Sequence, residues 1–116
     1  MRRDAQRLSD IVEAAGQVAN YIDGRTDVQF IVDRFFQDAV LRQLTILGEA
    51  ASKLSAQFRS VHPEIPWARI VGFRHRVVHD YFGFNLDTAW KVASVEVPIL
   101  ATAISQILAR EYPDEI

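Results

Sequence analysis

The 116-residue sequence predicts an all-α protein, an up-and-down bundle of four to five helices. Three observations predict it. Apolar residues recur at spacings of three and four along most of the chain. Helix-stopping and helix-capping residues fall between those stretches. No segment alternates apolar and polar residues as a half-buried strand does. Hydrophobic residues make up 49% and charged residues 24%, enough for one sizeable core, so residues 1–116 read as a single domain.

The first helix is expected from about Asp4 to Tyr21, with Leu8, Ile11, Ala15, Val18 and Ile22 inward and Asp23-Gly24 as its stop. Thr26 can cap a short helix whose Val28, Ile31 and Val32 face inward; it either continues into the next helix or breaks near Phe35. A long helix follows from roughly Gln37 to Arg59, carried by Val40, Leu44, Leu47, Ala51, Leu54 and Phe58. Gly48, Ala50 and Ala51 leave room beside it for a neighbouring helix. His62-Pro63-Glu64-Ile65-Pro66 ends the pattern, and Pro66 opens a helix reaching about Asp80. Asn85 caps the last helix. Its stripe is Leu86, Ala89, Ala93, Val97, Leu100, Ile104 and Leu108, and Pro98 should kink it.

Composition narrows the chemistry. The net charge is -2, so no global basic field holds nucleic acid, and any RNA contact must be local. With no cysteine, disulfides, thiolate metal sites and a cysteine nucleophile are excluded. The N-terminus is charged without a following signal-type apolar run, and no stretch is expected to reach the roughly 18 apolar residues of a membrane span. The expectation is a cytoplasmic protein with no membrane contact.

One segment departs from the bundle pattern. At about 100° per residue, Trp67, Ile70, Val71, Val77, Val78 and Tyr81 share a face of the Pro66–Asp80 helix, and Arg74 falls in its middle. A guanidinium there needs a carboxylate, a subunit interface or an anionic ligand beside it. His79 lies about 140° round from Arg74 and borders the stripe, while Tyr81 returns almost above Arg74. These residue types suit RNA cleavage without a metal. An imidazole can take the 2′-OH proton near neutrality, and a guanidinium can hold two phosphate oxygens. The products would be a 2′,3′-cyclic phosphate and a 5′-hydroxyl.

Arg74-x4-His79-x-Tyr81 resembles the signature of the HEPN superfamily, and within it the HepT-like toxins. Asp38 to Ala51 looks like that family's second-helix motif, and His62-Pro63-Glu64-Ile65-Pro66-Trp67 looks like the approach to its active-site helix. The resemblance covers nearly the whole chain and is densest from Asp38 to Asn85. It implies a HEPN-like helical homodimer whose two Arg-x4-His segments meet in a composite active site. It implies a metal-independent ribonuclease toxin of a type VII HEPN/MNT toxin–antitoxin pair, with no cofactor. The partner would be an MntA-like nucleotidyltransferase antitoxin that silences the toxin by AMPylation. Carried over, Arg74 and His79 become catalytic and Tyr81 becomes the modified residue. His75 departs from the pattern, because an acidic or polar residue is expected directly after the arginine.

Each of these residues also has a plainer reading. Arg74 could pair with a carboxylate at an interface, His79 could be a satisfied helix-end histidine, and Tyr81 could be a packing aromatic. His75 and His79 are four apart, a spacing that suits a metal, but no third ligand is evident beyond Asp80 or His62, so no metal is expected. Arg76 and Asp80 make an outer-face pair. Arg42 and Glu49, with Thr45 and Ser52, form either an exposed polar face or a face that meets the active-site helix or a second subunit, Glu49 orienting an arginine. Trp67 and Trp90 read as core or interface aromatics. The alternative function is a non-catalytic nucleotide- or RNA-binding partner subunit of a nucleotidyltransferase. A plain helical dimerisation protein is a third.

Overall fold

A computed structural model describes residues 2–79 and 85–115, and the side chains of residues 3–73 and 85–114. Helix α1 spans Arg2–Ile22. Its Ala5, Leu8, Ile11, Ala15 and Val18 are buried, the three-and-four spacing placing them on one face. Gly24 ends it in the left-handed region, at φ 70°, where a side chain would be strained.

Helix α2, Asp27–Val32, begins at Thr26 in a capping box: Thr26 Oγ1 accepts from the Gln29 amide and Gln29 Oε1 accepts from the Thr26 amide. Its expected inward face is corrected. Phe30 is the buried residue, while Val28, Ile31 and Val32 are exposed. With one and a half turns, α2 can present only one side to the core. Phe30 takes it by fitting between Phe36 and Trp90, at ring-centroid distances of 5.3 and 5.5 Å.

Asp33 separates α2 from α3, Arg34–Ser52, and caps the latter by accepting from the Phe36 amide at 3.1 Å. The expected helix from Gln37 to Arg59 is therefore two helices. Helix α4, Ala56–Val61, starts again from the cap Ser55. Leu54 and Phe58 are nonetheless buried along with Val40, Leu44, Leu47 and Ala51, so the apolar stripe continues across the break. The buried Asp4 carboxylate holds that corner, accepting from the Ser55 amide at 2.9 Å and the Ser55 hydroxyl at 2.7 Å.

Helix α5 spans Trp67–His79. Helices α6, Leu86–Lys91, and α7, Val97–Glu111, are one continuous helix joined by a π turn at Val92–Glu96. Asn85 caps it, accepting from the Thr88 amide at 3.1 Å. The distortion expected at Pro98 takes the form of that π turn just before it. Proline cannot donate to the carbonyl four residues back and its ring crowds that carbonyl; the wider turn accommodates both. Ala89, Ala93, Val97, Ile104 and Leu108 point inward as expected, Leu86 and Leu100 being half-buried. By length and composition Leu86–Glu111 is apolar enough to cross a membrane, contrary to the expectation that no stretch approaches this. Its inward stripe packs on α1, and 33% of the apolar window is buried within the bundle.

The fold is all-α, with no strand among the described residues. Four long helices form the bundle, and the short α2 and α4 raise the expected four to five to six. The close-packed seams join α1 to α3, α3 to α5 and α1 to α7. The remaining seam, between α5 and α7, is spanned by the Arg69–Glu96 ion pair at 2.8 Å. It leaves an apolar cleft of about 260 Å³ walled by Leu44, Leu47, Ile70, Phe73, Val97 and Leu100.

Candidate active-site helix

The bundle fixes α5 mainly at its start. Pro66 cannot donate, so the helix opens there, and the Ile70 amide donates to the Pro66 carbonyl at 3.1 Å. Trp67 is buried, and its indole Nε1 donates to the His62 carbonyl at 2.9 Å. Its ring packs against Phe58 at 6.0 Å in a T-shaped arrangement, and Phe58 lies 4.6 Å from the His62 ring. Ile70 and Val71 pack half-buried on the core, as their shared face with Trp67 predicts. Arg69 is on the outer side of this helix and reaches Glu96 across the open seam.

The backbone of Arg74, His75 and His79 belongs to α5, whereas their side chains lie outside the described residues. Tyr81 lies outside them altogether, as does the Arg76–Asp80 pair. What is described is the support. A tryptophan-anchored, α3-packed helix carries the Arg-x4-His segment in its last two turns, beyond the anchor. Gly72 stands just before it, and a Cβ there would meet open space.

Arg42 is exposed on α3. Glu49 is half-buried, and its carboxylate lies 3.4 Å from Lys53 Nζ one turn on. Glu49, Gln43 and Lys53 line a polar groove of about 520 Å³ whose other wall is α1, with Arg7, Asp10, Glu13 and Gln17. Three acids and two bases line it, so it does not attract a polyanion.

Sequence reasoning missed a buried polar cluster next to α5. His62 is 5% exposed. Its Nδ1 lies 3.5 Å from Glu64, and its Nε2 lies 3.0 Å from Glu111, near the end of α7, an ion-pair contact outside hydrogen-bond alignment. The carboxylates face opposite edges of the ring, so the three groups do not converge on one point. Among the described residues, no three His, Asp or Glu side chains form a group that could hold a metal ion. The signal available in the sequence was the His-Pro-Glu run before Trp67; the pairing with Glu111 needs the tertiary fold. Nearby, the Tyr112 phenol is pushed up from its ordinary value of 10.0, first by burial and then by the negative charges of Asp4 and Glu111.

A family model described as "HepT-like: Ribonuclease HepT-like" matches residues 11–107. That range contains α5 and α3, on which it packs. A Caldanaerobacter subterraneus subsp. tengcongensis protein named a "putative RNase" is 31% identical over 111 residues, covering 96% of this chain and 99% of its own length. A "probable ribonuclease HepT" of Thermococcus cleftensis is 34% identical over 93 residues, 80% of this chain and 84% of that protein. A longer Methanocaldococcus jannaschii protein, named "gamma-glutamylcyclotransferase and putative RNase", is 33% identical over 109 residues; these are 93% of this chain but 49% of that protein, so the chain spans about half its length. No solved structure matches the chain significantly.

Proposed function

The chain belongs to the HepT-like ribonuclease family, and from that premise we propose that it is a metal-independent ribonuclease toxin whose chemistry sits on the last turns of α5. The observation that carries the proposal is the Arg74-x4-His79 spacing within the matched region, on a helix held in place by Trp67 and α3.

The reaction balances without water or metal. The RNA 2′-oxygen attacks the adjacent phosphorus while His79 takes its proton. Arg74 neutralises the charge on the phosphate oxygens. The P–O5′ bond breaks, and the departing 5′-oxygen takes a proton from a His79 imidazolium of the composite site, giving a 2′,3′-cyclic phosphate and a 5′-hydroxyl. Two copies bring their α5 helices together in a composite site. The open seam between α5 and α7, with its apolar cleft and the exposed Ile99 beside it, supports such a pairing.

The nucleotidyltransferase antitoxin would silence this site in the cytoplasm. The Tyr81 oxygen attacks the α-phosphorus of ATP, pyrophosphate leaves, and the phenol proton passes to a base on the transferase. The added phosphate competes for Arg74 and blocks the cleft. His75 would support the site from beside Arg74, and Arg42 and Glu49, the latter in the groove between α3 and α1, would do so across a subunit contact.

The test uses purified protein in EDTA. The wild-type chain should cleave RNA to cyclic-phosphate ends, and His79→Ala should reduce cleavage by about 100-fold or more. Activity abolished by chelation, or retained in His79→Ala, rejects the mechanism. Coexpression with the nucleotidyltransferase should add about 329 Da per AMP, and Tyr81→Phe should remove that shift.

A further inference from the structure

Three helix ends meet at His62. It caps the end of α4, its amide donating to the Arg59 carbonyl at 3.3 Å, and its ring lies 4.6 Å from that of Phe58 on the same helix. Its carbonyl accepts from the indole of Trp67, the first residue of α5, at 2.9 Å. Its ring nitrogen Nε2 lies 3.0 Å from the carboxylate of Glu111, the last residue of α7. His62 therefore holds the start of α5 with its backbone and meets the helix across the open seam with its ring.

Helix α5 packs closely on α3, but its side towards α7 is an apolar cleft. Two ion contacts join the two sides among the described residues, Arg69–Glu96 at 2.8 Å and His62–Glu111 at 3.0 Å. They differ in weight. The Arg69 and Glu96 side chains are 64 and 28% exposed, so water and salt screen that pair. The His62 side chain is 6% exposed, and its contact is screened far less. Nε2 is buried without an aligned hydrogen bond, and the Glu111 carboxylate is the group that faces it. Removing one member of such a buried contact leaves the other uncompensated. Glu111 also lies 3.6 Å from Arg110, and Glu64 stands 3.5 Å from Nδ1 at the other edge of the ring.

We infer that His62 and Glu111 are positioning residues for RNA cleavage: their contact sets the angle at which α5 leaves the Trp67 anchor. The inference rests on the site named under the proposed function and adds what holds that site in place. A helix pivoting at its first residue moves its far end most. His79 lies twelve residues beyond Trp67, roughly 18 Å along the axis, so a tilt of about 5° displaces it by roughly 1.5 Å. A misplacement of about 1 Å can cost on the order of 100-fold in rate, whereas holding a phosphate by charge tolerates it. The contact should therefore govern kcat rather than KM.

The experiment measures steady-state cleavage of a fluorogenic oligoribonucleotide in EDTA by the full chain, with melts recorded so that every rate is taken on folded protein. Glu111→Gln and His62→Gln should each lower kcat by about tenfold, with KM changed less than about twofold. The double variant should fall no further than the lower single one, because each removes the same contact. Ile104→Ala, which cuts into the core of α7 elsewhere, should keep the wild-type kcat when folded. Where His62→Gln does not fold, Glu111→Gln decides alone. Wild-type kcat in Glu111→Gln, a loss confined to KM, additive losses in the double variant, or an equal loss in Ile104→Ala each overturns the inference and leaves the ribonuclease reading standing. A wild-type chain that does not cleave RNA overturns that reading and the inference with it.

Discussion

At the scale of single residues, the polar groups inside this bundle do structural work that its apolar stripes cannot. Asp4 is 3% exposed and satisfies both the amide and the hydroxyl of Ser55, tying the first turn of α1 to the cap of α4 across fifty-one positions of sequence. Removing it strands two donors, so Asp4→Ala should destabilise the fold by about 1–3 kcal/mol, read from the midpoint of urea unfolding. Tyr112 adds a pH dependence. Its native phenol keeps its proton to a higher pH than the unfolded one, because burial and the charges of Asp4 and Glu111 oppose ionisation. Between those two values the folded state binds more protons, so stability is present below pH about 10 and is lost as pH climbs through the raised native value. Tyr112→Phe should remove that alkaline loss in melts taken across pH 8–12. The sequence signals neither residue: an aspartate in a first helical turn and a tyrosine before a proline are both ordinary surface patterns.

At the scale of elements, local signals place helix starts better than they place helix faces. Thr26, Asp33, Ser55 and Asn85 all cap helices through their own side chains, and each belongs to the residue types that do so. Only Thr26 and Asn85 stood out, because Asp33 and Ser55 lie within an apolar rhythm that runs unbroken over both junctions. The inward face of α2 escapes the sequence for a related reason: Val28, Ile31 and Val32 have helical spacing, but one bulky ring, Phe30, is the side chain that the core takes in. Helix α5 depends on a contact that spacing does not reveal, the indole of Trp67 on the His62 carbonyl. Trp67→Phe keeps an apolar ring but leaves the His62 carbonyl only the longer bond from the Ile65 amide, at 3.3 Å. It should lower stability by about 0.5–1.5 kcal/mol in thermal unfolding and reduce RNA cleavage, because the anchor of the Arg74–His79 segment loosens.

At the scale of the whole molecule, three packed seams and one open one describe the protein. Ile104 is fully buried in the helix that packs on α1, so Ile104→Ala should cost about 2–5 kcal/mol, measured by denaturant unfolding. The open seam between α5 and α7 exposes what an isolated four-helix bundle would cover, and Val28, Ile31 and Val32 of α2 stay exposed as well. The all-α class, the core stripe from Val40 to Phe58, the proline break before α5 and the Arg74-x4-His79 spacing were all legible in the residue order. They are local properties: periodicity, caps and prolines act within a few residues of themselves. Which apolar side chains remain outside, that Asp4 is buried, and that His62 meets Glu111 were decided only in three dimensions. Each depends on which surfaces distant segments bring together, and burial is a property of that meeting rather than of the residue.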